Sequence, residues 1–116
     1  MVYNSDKLIL RKKFLDLRDS VDLSNIAEKS KDITKRLFSI REIKNAKCIL
    51  AYLSLPREVE TRLIITRFLM QNIKVALPRV NKSEKTMKVH FIKDIRSDTE
   101  KGSYNICEPF EHLPFA

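Results

Sequence analysis

Glycine is nearly absent. Among 116 residues there is one, Gly102. A phosphate loop of the Rossmann or Walker kind needs several glycines, for tight turns and for close approach of backbone to phosphate. Neither loop is present, so a nucleotide must be gripped by side chains, or by a loop that lies elsewhere. Cysteine is also scarce. Cys48 and Cys107 stand 59 residues apart with no CxxC. That excludes a disulfide framework or zinc cluster and reads as a reducing, cytoplasmic setting. His90 and His112 stand alone, and His90, on a predicted strand, reads as a structural residue. No apolar run approaches the ~20 residues that cross a bilayer, so no membrane is expected. Met1-Val-Tyr-Asn-Ser-Asp6 lacks the basic-then-apolar order of a secretory signal.

What is present is ordinary for a globular chain: 43% apolar and 33% charged residues. The length suits a single domain over residues 1–116, able to bury roughly two-thirds of its unfolded surface. The net charge is +8. It is spread, with 12 basic and 7 acidic residues up to Lys47 and 11 and 8 after it. Such a field suits nucleic acid, nucleotides or polyanionic metabolites without choosing among them, and a solvated basic surface gives the same count. Nucleic acid fits poorly, because the chain has neither a recognition-helix signature nor aromatics interleaved with basic residues.

Periodicity supplies the organisation. Ser5 or Asp6 caps a first helix to about Ser20, with Leu10, Phe14, Leu17 and Val21 on one apolar stripe and Lys7, Arg11 and Arg18 at its edge. Asp22 or Ser24 starts a second helix to about Ile40, with Ile26, Ser30, Ile33, Leu37 and Ile40 on its inner face. Cys48 to Leu53 is a continuous apolar run, as in a strand covered on both faces. Thr61 caps a third helix with Ile64, Ile65, Phe68 and Leu69 inward. Asn72 ends it in the left-handed region. Ile73–Leu77 is a strand stopped by Pro78. Met87, Val89 and Phe91 are the covered side of another. After Asp94 there is no periodicity, and residues 104–116 read as an extended segment that packs on something. This order predicts an α/β/α sandwich in three layers with a mostly parallel sheet. Ligands of such sheets bind beyond the carboxyl ends of the strands, here the loops 54–60 and 78–86.

Four groups can carry chemistry. Lys7 and Arg11, one helical turn apart, converge on one spot and can clamp a phosphate chain; they can also simply face solvent. Arg57, Glu58 and Glu60 follow the first strand. Glu58 can hold the amino groups of a heterocycle or be solvated, and Glu60 can serve the third helix's N-terminus. Pro78 aims Arg79 at the same edge. Tyr104 with Glu108-Pro109 can stack on a flat ligand or form a packing segment.

Lys7-Leu8-Ile9-Leu10-Arg11, Tyr52-Leu53-Ser-Leu-Pro-Arg-Glu58-Val-Glu-Thr61, Leu77-Pro78-Arg79, Met87 and Tyr104-Asn-Ile106-Cys-Glu108-Pro109 occur in one order. Together they resemble the 5-formyltetrahydrofolate cyclo-ligase family over the whole chain. The resemblance implies an ATP- and Mg2+-dependent ligase. It phosphorylates the formyl oxygen of 5-formyltetrahydrofolate, closes the ring by attack of N10 and releases phosphate, giving 5,10-methenyltetrahydrofolate. It implies ATP contacts at Lys7, Leu8, Ile9, Leu10 and Arg11. Substrate contacts fall at Leu53, Glu58, Arg79, Met87 and Tyr104, with the catalytic group unassigned. The folate's glutamate tail, single or multiple, suits the basic surface. Asn105 stands where many relatives have glycine. The family's second half carries more strands and a Gly-rich phosphate segment that this sequence lacks. The fold is therefore expected to be truncated, with an open sheet edge. The chain alone is expected to be inactive and poorly folded, being a fragment, a truncated gene product or one part of a split enzyme whose partner is the missing C-terminal half. The competing readings are a non-catalytic remnant and a basic nucleic-acid or polyanion-binding module.

Overall fold

A computed structural model describes residues 2–102 and 105–116, with side chains from Ser5 onward. The first helix, α1, spans Val2–Asp19 and α2 spans Leu23–Leu37. The second predicted helix thus stops three residues early, and a one-turn helix, α3 (Arg41–Lys44), follows. Strand β1 (Cys48–Leu50) leads through a loop into α4 (Arg62–Met70). The chain then forms β2 (Lys74–Asn81) and β3 (Thr86–Ile92). Asn72 ends α4 at φ 61° as expected, because asparagine tolerates the left-handed region. Asn105 holds φ 60°, which accounts for glycine being acceptable in its place.

The sheet order is β1-β2-β3. β1 and β2 are parallel, with Cys48 beside Lys74, and β2 and β3 form an antiparallel hairpin from Val75–Ile92 to Asn81–Thr86. Pro78 lies inside β2 rather than ending it. β1 pairs only as far as Ala76, so no neighbour there needs the missing proline N–H. Residues 114–116 lie along β3's outer edge: the Phe91 amide donates to Pro114 O at 2.8 Å and the Ala116 amide to Val89 O at 2.9 Å. The late segment therefore does pack, and it covers an edge expected to be open. Between these parts come α5 (Ile95–Asp98) and a two-stranded sheet of β4 (Thr99–Lys101) and β5 (Cys107–Pro109). Asp94 caps α5; the Ser97 amide, joined by the Ser97 hydroxyl, holds its carboxyl below the usual carboxylate range.

One core forms, from Ile64, Ile65 and Phe68 of α4, Val75 and Leu77 of β2, Ile92 of β3, and Leu53. Leu37, Phe38 and Ile43 pack against it. The α4 face is as the spacing predicts. Elsewhere the structure corrects the expected faces, and it leaves the α1 stripe uncovered. Leu10, Phe14 and Leu17 are exposed, because α1 extends away from this core. Ile33 and Ile40 are exposed as well, leaving Ser30 as the buried residue of α2. On β3 the buried side is His90 and Ile92, whereas Met87 is 61% exposed. Alternation offers two faces, and α4 lies on the His90 face. β1 is likewise uncovered on one side, with Leu50 63% exposed.

Gly102 is needed for close approach. Its amide donates to Ile106 O at 2.8 Å, and a Cβ there would run into the Glu108 carboxylate. Glu108 is buried and accepts from the Val80 amide at 2.7 Å, locking β5 to the hairpin. Gly102→Ala is expected to destabilise the fold by about 1–3 kcal/mol. Each kcal/mol lowers the thermal midpoint by roughly 4–8 °C in a domain near this size. An unchanged midpoint in a circular dichroism melt would contradict the tight contact.

Candidate functional site

The loop between β1 and α4 is built by its own side chains. The Glu58 amide donates to Leu55 O at 3.0 Å, and Glu58 Oε1 accepts from the Leu55 amide at 2.8 Å. The carboxylate thus closes its own turn. Thr61 Oγ1 donates to Tyr52 O at 2.6 Å and accepts from the Ser54 amide at 3.0 Å. Thr61 is therefore not the side-chain cap of α4. Glu60 takes that part, accepting from the Arg62 amide at 2.7 Å, where a carboxylate also suits the helix dipole. The Glu60 amide donates to Ser30 Oγ at 3.0 Å, which ties the loop to α2.

Arg57 adds a longer link. Its Nη1 donates to Asp19 O at 3.1 Å and to Val21 O at 3.0 Å. These carbonyls lie at the C-terminal end of α1, where a cation is favoured. The loop that holds Glu58 therefore also holds the helix that carries Lys7 and Arg11. Nothing local in the sequence marks this contact, since its partners are 36 and 38 residues away.

Beside the loop lies a cavity of about 650 Å3, bounded by Ile26 and Phe38 of the α2 region, Leu63 and Arg67 of α4, and Glu58 and Glu60. Its size is that of small-molecule sites, and its wall combines apolar side chains with four cations, Lys31, Lys35, Lys44 and Arg67, besides the two glutamates. The other predicted residues are not gathered there. Leu53 is buried in the core. Lys7 to Arg11 form an exposed turn of α1. Arg79 turns to the small sheet, its Nη1 donating to Glu100 Oε1 at 2.8 Å and to Pro109 O at 3.0 Å. Met87 pairs with Val80 and Arg79 with Lys88, so Met87 and Arg79 occupy opposite faces of the hairpin. Tyr104 lies outside the described residues. Glu108 and Pro109 are buried and structural.

The family model for 5-formyltetrahydrofolate cyclo-ligases matches residues 3–114. The chain belongs to that family. Its fold is similar to the solution structure of 5,10-methenyltetrahydrofolate synthetase from Aquifex aeolicus, with a TM-score of 0.77 and 24% identity. That similarity covers 90% of this chain and 52% of the Aquifex chain. Among curated protein sequences none matches. The family resemblance read from the sequence motifs is thus shown, on a mixed α/β fold. The cyclo-ligase family implies ATP and Mg2+. Two cations on one exposed turn fit a phosphate chain. No three His, Cys, Asp or Glu side chains come together to hold a metal among the described residues. Mg2+ at phosphoryl-transfer sites is held largely by substrate phosphates and one or two carboxylates, so it needs no such cluster. Among the described residues no helix is long and apolar enough to cross a membrane.

Proposed function

We propose that this chain supplies the N-terminal half of a folate cyclo-ligase site, joining ATP-driven phosphorylation to ring closure of 5-formyltetrahydrofolate. The observation that carries this reading is Glu58, set by its own turn on the rim of a cavity in a chain matched to the family from residue 3 to 114. Lys7 and Arg11 hold the phosphates and stabilise charge on the group in transfer. Glu58 accepts hydrogen bonds from the amino groups of the folate ring. Arg57 keeps these two parts at a fixed spacing. Met87, exposed on the hairpin face turned away from α4, does not line this cavity. Arg79 and Leu53 act through the frame, since one is held by Glu100 and the other sits in the core. The basic surface attracts the glutamate tail.

The reading includes a partner. Leu10, Phe14 and Leu17 of α1 and Leu50 and Met87 of the sheet are all exposed. The chain spans about half the length of the Aquifex synthetase it matches. The remaining half of such a fold would supply the third layer and the Gly-rich phosphate segment. The test is a turnover assay with 5-formyltetrahydrofolate, ATP and Mg2+, read as formation of the methenyl product, alongside calorimetric titration of each ligand. The pure chain is expected to bind folate without turnover, and Glu58→Gln to weaken folate binding about tenfold while leaving ATP binding unchanged. Turnover by the chain alone would overturn the half-site. Equal folate binding by Glu58→Gln would remove Glu58 from it.

A further inference from the structure

The first helix leaves the body at a short corner. Ser20, Val21 and Asp22 alone separate α1 from α2. Leu10, Phe14 and Leu17 are exposed, so packing along this stripe does not fix the direction of α1. Arg57 grips the corner instead. Its Nη1 uses both of its hydrogens there, on Asp19 O at 3.1 Å and on Val21 O at 3.0 Å. Asp19 O lies in the last turn of α1, where carbonyls lack a helical partner. Arg57 is half-buried and forms no ion pair, so its charge is directed at these carbonyls. The loop that carries it is fastened twice more. The Glu60 amide donates to Ser30 Oγ of α2 at 3.0 Å, and Glu58 Oε1 closes on the Leu55 amide at 2.8 Å.

The corner works as a lever. Lys7 precedes Asp19 by 12 residues in one helix, so it stands roughly 18 Å from the corner. A tilt of about 10° there moves Lys7 by about 3 Å, which is enough to break a hydrogen bond.

We infer that Arg57 is a positioning residue that couples nucleotide and folate binding. The inference rests on the folate reading and adds the regulation of that site. The phosphoryl group passes from ATP to the folate, so the nucleotide must meet α1 and the folate together. Folate on Glu58 holds the loop in its closed turn. The closed turn keeps Arg57 on the corner. The corner then holds Lys7 and Arg11 in one place relative to the cavity. Each ligand therefore raises the affinity of the other, and by the same factor.

The experiment is a calorimetric titration of the chain with the β,γ-imido analogue of ATP and Mg2+, with and without saturating 5-formyltetrahydrofolate. Folate is expected to raise nucleotide affinity about fivefold or more. In Arg57→Ala that factor is expected to fall to within about twofold of unity, while each ligand alone binds within about threefold of wild type. Arg57→Lys is expected to restore part of the factor, because an ammonium also offers two hydrogens to the carbonyls. Residual dipolar couplings of the 15N-labelled chain read the same link without ligands. In the wild type the α1 amides are expected to share one alignment with α4 and β2. In Arg57→Ala their couplings are expected to shrink while their chemical shifts stay helical. Should the alanine variant lose its fold, Arg57→Gln repeats both measurements. Independent binding of the two ligands to the wild type would overturn the coupling and leave the folate reading standing. A coupling factor or α1 alignment unchanged in Arg57→Ala would remove Arg57 from the role. Absence of folate binding in the wild type would remove the folate reading and the coupling together, and the dipolar couplings would then decide whether Arg57 directs α1.

Discussion

Replacing both Lys7 and Arg11 with alanine is expected to lower ATP affinity by a factor of about 10²–10⁴. Each charge-assisted hydrogen bond is worth about 1.5–3 kcal/mol, and each 1.4 kcal/mol is a factor of ten. The two side chains sit one turn apart on α1, so one phosphate chain can touch both. The helix is exposed there, and screening moves the result toward the lower end of that range. Arg11→Lys should recover only part of the loss, because a point charge replaces a planar fork. Titration calorimetry at two salt concentrations measures the effect. An affinity unchanged within twofold in the double variant would remove α1 from the nucleotide site. The chain contains no glycine loop that could compensate.

Phe68→Ala is expected to destabilise the fold by about 3–5 kcal/mol, a large share of the stability of a domain near this size. Phe68 is 2% exposed, and its ring lies 4.8 Å from that of Phe38 at a tilt of 41°. Arg67 covers the Phe38 ring at 3.9 Å. This pair joins α4 to the end of α2, and Phe38 and Arg67 also wall the cavity beside Glu58. The alanine variant therefore loses both packing and the shape of the candidate site. Phe68→Leu should recover most of the stability, since it keeps much of the volume. Urea unfolding of both variants provides the measurement. A loss under 1 kcal/mol for the alanine would mean that this core does not hold the two helices together.

Much of this was legible in the residues, and the failures follow a pattern. The α4 face of Ile64, Ile65, Phe68 and Leu69 follows from helical spacing alone, because four neighbouring apolar positions define a single stripe. Asn72 ends α4 for a local reason, its tolerance of positive φ. Motif order was enough to name the family. The second helix was read as burying Ile33 and Ile40, which are exposed, since periodicity reports a face and not what covers it. Pro78 was read as a stop. Whether a proline breaks a strand depends on whether a neighbour needs its N–H, and β1 is too short to need it.

The sequence by itself determined what the chain cannot be, where most elements lie and which family it belongs to, because these depend on composition, local conformational preference and the order of motifs. Tertiary structure decided the rest. Met87, Val89 and Phe91 alternate as plausibly as His90 and Ile92. Only the seat of α4 against Val75 and Leu77 puts the second pair inside and leaves the first to the other face. The link from Arg57 to the end of α1 and the separation of Arg79 from Met87 were decided in the same way. Each joins or divides groups through contacts between distant segments, which no local pattern encodes.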